Sequence, residues 1–201
     1  MAIGIWLSNQ PPLTISTPKP TIEPTKISTP IPFTGKWQTY TTKSEFDGST
    51  TVILFLDAES YVEGWLTTTL PTLNLRCQEG KIDSYVNIGM QADVKYGLDD
   101  NATVRIRFDQ NQAFELTVSE STDGEALFFY NPYGMILAML QSQEMVLGFT
   151  PFNAGPAVAK FDLRWLNNVI EPLKRSCNWN GERPTPLPCL MYPCPYDVPI
   201  Y

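Results

Sequence analysis

The sequence contains no histidine. That removes the commonest general base and the commonest neutral metal ligand together. Ser-His-Asp and Cys-His arrangements are impossible, and so is a His-containing zinc site. Positive charge is also in short supply, with 14 Lys and Arg against 21 Asp and Glu, a formal net charge of −7. A chain this acidic, with its cations spread singly, lacks the footprint of a phosphate-backbone binder. No nucleic-acid partner is expected. Gly-x-Gly-x-x-Gly, Walker and nucleophile-elbow patterns are missing too. The N-terminal apolar stretch, Met1–Leu7, is too short to span a bilayer and lacks the basic flank and cleavage site of a signal peptide.

Proline, by contrast, is plentiful and uneven. Seven of the 18 prolines lie in residues 1–33 and six follow Cys177, which leaves five between. The globular part is therefore expected at 34–177, long enough to bury a core. Residues 1–33 carry a net +1 and the tail a net −1, so the −7 belongs to this central domain. Residues 1–12 read either as the remnant of a membrane anchor or as an unstructured start. Residues 13–33 repeat Thr and Pro without hydrophobic periodicity, a composition that favours an extended spacer. Residues 178–201 form a Pro-rich tail with a Cys pair.

Four cysteines, Cys77, Cys177, Cys189 and Cys194, permit three connectivities. Cys77 alternates onto one face with Leu73 and Leu75, and Cys177 ends the last helical segment. Cys189 and Cys194 flank a short loop. The expected bonds are Cys77–Cys177 and Cys189–Cys194, the first worth about 4–5 kcal/mol by loop closure. A four-thiolate zinc site is the rival, although the chain lacks Cys-x-x-Cys knuckles.

The clearest strands are 102–109 and 113–119, where Val104, Ile106 and Phe108 and then Phe114, Leu116 and Val118 alternate with polar residues. Folding about Gln110–Gln112 predicts Phe108 opposite Phe114, Ile106 opposite Leu116, Val104 opposite Val118 and Arg107 opposite Glu115. Further strands are predicted at 51–57, 73–78, 84–90, 125–130, 145–150 and 157–161. Two helices interrupt them. Asn131 caps one that starts at Pro132 and buries Met135, Ile136, Met139 and Leu140. Asp162 caps the other, which Pro172 kinks or ends. The expected fold is mainly β, an antiparallel β-sandwich or strongly curved sheet with two short helices.

The order of Trp37, the Ser44–Val52 stretch, Leu73-Asn-Leu-Arg-Cys77, Tyr85, Val104-Arg-Ile-Arg-Phe-Asp109 and Ala157-Val-Ala-Lys-Phe-Asp-Leu163, closing on Leu166 and Cys177, resembles the VasI/TagO-like proteins associated with type VI secretion. The resemblance spans residues 37–177. Phe114 stands where the family pattern has Trp, and the Thr/Pro spacer and Cys-bearing tail are additions. What the resemblance implies is an extracytoplasmic bacterial accessory protein without assigned catalytic residues.

Candidate chemistry is sparse. Asp99-Asp100-Asn101 reads as a turn rather than a calcium loop, since the EF-hand pattern is missing. Glu115 with Glu120, or Asp57 with Glu59, would serve glycoside hydrolysis only with a cleft and one raised pKa. Solvated strand edges explain them better. Among the aromatics, Tyr61 and Trp65 are the candidate binding surface, although core packing accounts for most rings in such folds. The expectation is a non-catalytic, cofactor-free interaction domain in the periplasm, on the cell surface or secreted. Its partner would be an envelope or secreted protein, and any membrane contact would run through the N-terminal anchor. The alternative is a carbohydrate- or cell-wall-binding β-sandwich that takes a glycan.

Overall fold

The computed structural model describes Met1, residues 33–94 and residues 101–182. Nine antiparallel strands form one open sheet. In spatial order they are β1 (Gln38–Lys43), β2 (Thr50–Asp57), β5 (Thr72–Gln78), β6 (Lys81–Asn87), β9 (Ala126–Phe129), β8 (Phe114–Glu120), β7 (Asn101–Phe108), β10 (Glu144–Phe149) and β11 (Ala157–Asp162). A two-stranded hairpin, β3 (Val62–Glu63) with β4 (Thr68–Thr69), stands apart.

Alternation produces this sheet. Val52, Leu54 and Leu56 of β2 are buried while Ile53 and Phe55 between them are half-buried, and β5 repeats the pattern with Leu73, Leu75 and Cys77. The register continues it across the ladder, with Leu54 opposite Leu75 and Leu75 opposite Ser84. Between β5 and β6 the turn is two residues long. Glu79 and Gly80 both take positive φ, as the right-handed strand twist asks of a two-residue hairpin.

The expected mainly β architecture is present, in its strongly curved form. β2 and β11 stand seven strand spacings apart in the sheet order, which would be about 34 Å if the sheet were flat. Yet the N–H of Glu59, just beyond β2, donates to Lys160 O in β11 at 2.9 Å. The sheet therefore curls without closing into a barrel. Its inner face and the helices share one core, in which Leu54, Leu73, Ile106, Leu147 and Phe161 are fully buried.

Helix α1 (Pro132–Leu140) starts as expected, with Asn131 Oδ1 accepting from Gly134 N at 2.9 Å and Met135, Ile136 and Met139 buried against the core. Leu140 is only partly covered. The second helix departs from expectation. Instead of capping it, Asp162 ends β11 and binds Arg164, so the segment divides into α2 (Leu166–Val169) and α3 (Glu171–Ser176) with Pro172 in the first turn of α3. The described residues thus hold three short helices rather than two.

The long hairpin also differs. Ile106 faces Phe114, Val104 faces Leu116 and Ala102 faces Val118, two residues away from the predicted register. A shift of two preserves which side chains point inward, so alternation cannot detect it. The loop decides it. Asp109 takes φ +50° and its Oδ1 accepts the backbone N–H groups of Gln143 and Glu144 at 2.8 and 2.9 Å. That ties the end of β7 to β10 and lengthens the connection to β8. Arg105, not Arg107, lies opposite Glu115, while Arg107 reaches Glu144 at 3.3 Å.

Candidate functional site

Cys77 and Cys177 are joined by a disulfide, as predicted, across a sequence separation of 100 and a Cα–Cα distance of 5.8 Å. Inward alternation places Cys77 under α3, and the bond fastens that helix over β2 and β5. Ser176 Oγ adds a 3.3 Å hydrogen bond to Thr50 O. Such bonds persist in oxidising, extracytoplasmic space. Cys189 and Cys194 lie outside the described residues, as do residues 2–32 of the anchor and spacer segments and Asp99 and Asp100. No helix among the described residues is long and apolar enough to cross a membrane.

The candidate carboxylates are not drawn together. Glu115 is exposed on the outer face of β8, and Glu120, five residues along the same strand, belongs to the opposite face. Asp57 accepts from Thr72 Oγ1 at 2.9 Å, whereas Glu59 faces Lys36 at 3.7 Å. The carboxylates displaced from their ordinary range all move downward. The Ser44 hydroxyl does this to Asp47, the Ser121 hydroxyl to Asp123, and the Arg164 guanidinium to Asp162. Each is held ionised, the reverse of what a general acid requires. No group of three or more Cys, Asp or Glu among the described residues could hold a metal ion.

Aromatic residues give the more distinctive surfaces. On the outer face of the sheet, Tyr85 and Phe128 stack at 4.5 Å as cross-strand neighbours. The Arg76 guanidinium lies 5.4 Å from the Tyr85 ring centre and is held by Asp83 at 2.7 Å. Burial pushes the Tyr85 hydroxyl pKa up. Every charge in this cluster already has a partner, so it acts as a cross-strand brace.

Trp65 is placed differently. It stands at the tip of the β3–β4 hairpin, which Gly64 N closes on Thr67 O at 2.8 Å. A Cβ at Gly64 would come within 2.8 Å of Met90 Sδ, so a larger residue there would push the Met90 side chain aside. Val62 is buried, and Thr69 Oγ1 donates to Ile88 O at 2.6 Å, so the base is pinned to the exit of β6. Phe152 arrives from the β10–β11 loop, where Phe152 N donates to Gln91 O at 2.8 Å. The two rings meet edge to face at 6.4 Å. Trp65 is 58% exposed, Leu66 81% and Phe152 42%. Scattered exposed apolar residues need no explanation, but a contiguous cluster on a fixed frame marks a contact surface. Tyr61, just before β3, is also exposed but makes no ring contact among the described residues. Sequence pattern singled out Tyr61 and Trp65; Leu66 is Trp65's exposed chain neighbour, and Phe152 meets Trp65 only in three dimensions. The expectation that aromatics fill the core holds for Trp37 and Trp179, whereas Tyr40, Tyr61, Trp65 and Trp165 are exposed.

No family model matches the chain, and neither does any curated protein sequence. Among solved structures, invasion associated protein B from Bartonella henselae is similar with a TM-score of 0.47 and 10% identity, covering 72% of this chain and 95% of that one.

Proposed function

We propose that this chain is a non-catalytic, extracytoplasmic interaction domain whose partner is another envelope or secreted protein. Its contact surface in this reading is the Trp65–Leu66–Phe152 projection, with Tyr61 at the margin. The observation that carries it is the joint exposure of Trp65 and Leu66, on a hairpin whose base is fixed by buried and hydrogen-bonded residues, and of Phe152, which meets Trp65 from the β10–β11 loop. Ordering entropy is then small on binding, and an apolar centre of this kind serves as an anchor for a partner's pocket. The disulfide supports an oxidising compartment, and the resemblance to VasI/TagO-like proteins supports envelope association. The test is site-specific photo-crosslinking from position 66 in an envelope extract, with exposed position 81, at the end of β6 opposite the hairpin, as reference. A discrete protein adduct is expected from position 66 alone, lost when Trp65→Ala and Phe152→Ala are combined. Equal adducts from both positions would refute the proposed surface.

A further inference from the structure

Trp165 occupies the turn between β11 and α2 with φ +74° and ψ 1°, the left-handed region. A bulky aromatic residue is an outlier there, and such strain persists only where the surroundings impose it. Here they do. The Phe33 ring meets the indole edge to face at 5.1 Å, and Asn168 Nδ2 fixes Phe33 by donating to its carbonyl at 2.9 Å. Gly35, itself at φ +62°, leaves the space that a Cβ would take from Trp165 Cδ1. Even so, the Trp165 side chain stays 47% exposed. Burial therefore does not account for the strained position.

The indole borders a groove of about 390 Å³ between residues 140–143 and the β11–α2 turn. That volume is at the small end of the ~300–1,000 Å³ range of ligand sites and suits a single ring. Arg164 lines it, with Nε and Nη2 donating to the two Asp162 oxygens at 2.7 and 2.6 Å. The pair orients the guanidinium and cancels its charge, while Nη1 keeps donors for a ligand. Asn167 spends Nδ2 on Leu140 O at 3.0 Å and keeps its side-chain carbonyl. Gln141 and Gln143 present exposed amides. The groove thus offers one flat apolar face, an oriented donor, several amides and no net charge.

We infer that this groove is a saccharide subsite that takes one neutral pyranose of glucose or N-acetylglucosamine type. The axial C–H groups of such a ring form an apolar face that lies on the indole, and its equatorial hydroxyls reach Arg164, Asn167 and the glutamine amides. A charged ligand would find no uncompensated charge to meet. The subsite shares no residue with the Trp65 surface and stands independently of it.

Saturation-transfer NMR on the full oxidised chain, with chitotriose and cellotriose as probes, tests the inference. Transfer to ring C–H protons of at least one probe is expected. Trp165→Gly deletes the stacking face while relieving the left-handed backbone, so that variant is expected to fold, and it should bind about tenfold more weakly. Arg164→Gln should weaken binding as well, and Trp65→Ala should leave it unchanged. Absence of transfer from both probes, or undiminished binding by folded Trp165→Gly, would overturn the assignment.

Discussion

On the β2–β5 side of the sheet, α3 is joined to the strands covalently through Cys77–Cys177. On the β7–β10 side, the corresponding closure is polar: the Asp109 carboxylate accepts two backbone N–H groups, its own N–H donates to Glu144 O at 3.1 Å, and Arg107 meets Glu144 at 3.3 Å. The two closures act on different states of the chain. A cross-link over 100 residues stabilises largely by restricting the unfolded ensemble. The Asp109 contact exists only in the folded state and acts through local hydrogen bonds. The molecule thus uses chain topology to hold one half of its sheet and polar geometry to hold the other.

Breaking the covalent side should have the largest effect. Replacing both partners, Cys77→Ser with Cys177→Ser, should cost about 2–5 kcal/mol in denaturant unfolding. An unchanged midpoint would mean that α3 is held by packing alone. Asp109→Ala should cost about 2 kcal/mol, since two charge-assisted hydrogen bonds are lost and a positive φ then falls on alanine. Hydrogen exchange at the Gln143 and Glu144 amides should quicken in this variant, while that of β5 amides follows global stability only. Equal quickening in both regions would erase the proposed division.

The smallest effect is pH-dependent and belongs to β11. The Arg164 guanidinium holds Asp162 below its ordinary value of 3.8 in the folded chain. The resulting stability is therefore fully present above that unfolded value and is lost as pH falls through the lower folded one. Arg164→Gln should flatten the acid limb of a stability–pH curve, read from thermal midpoints between neutral and strongly acidic buffer. An unaltered acid limb would show that Asp162 contributes nothing there. The Arg164 side chain is 60% exposed, so solvent screening keeps the effect small.

What could be read from the chain follows from where alternation operates. The half-buried strands were legible because one face must be apolar. β1 was not: Gln38-Thr-Tyr-Thr-Thr-Lys43 is exposed throughout and belongs to the sheet only through its backbone pairing with β2. β3 and β4, two residues each, are too short to show any period. The hairpin register escaped because sliding by two keeps every face, and the carboxylate that sets it acts on residues 34 and 35 positions away. Asp162 looked like a cap because aspartate commonly is one, yet a neighbouring arginine claimed both of its oxygens. At the proposed surface, Tyr61 and Trp65 stood out as aromatics near a loop. Phe152 belongs to a segment distant in sequence, and no local pattern links the two. The backbone strain at Trp165 has no composition signal, since it arises from Phe33 and Gly35 far upstream.

The order of thiols along the polypeptide has a consequence for biogenesis. Cys177 is the first cysteine to follow Cys77, so during N-to-C emergence into an oxidant no competing thiol emerges between the two partners. Only when Cys189 and Cys194 emerge does competition for it begin. Docking of the helix ending at Ser176 before those thiols emerge would guard the correct linkage, and a slower-docking variant would depend on disulfide shuffling to mature.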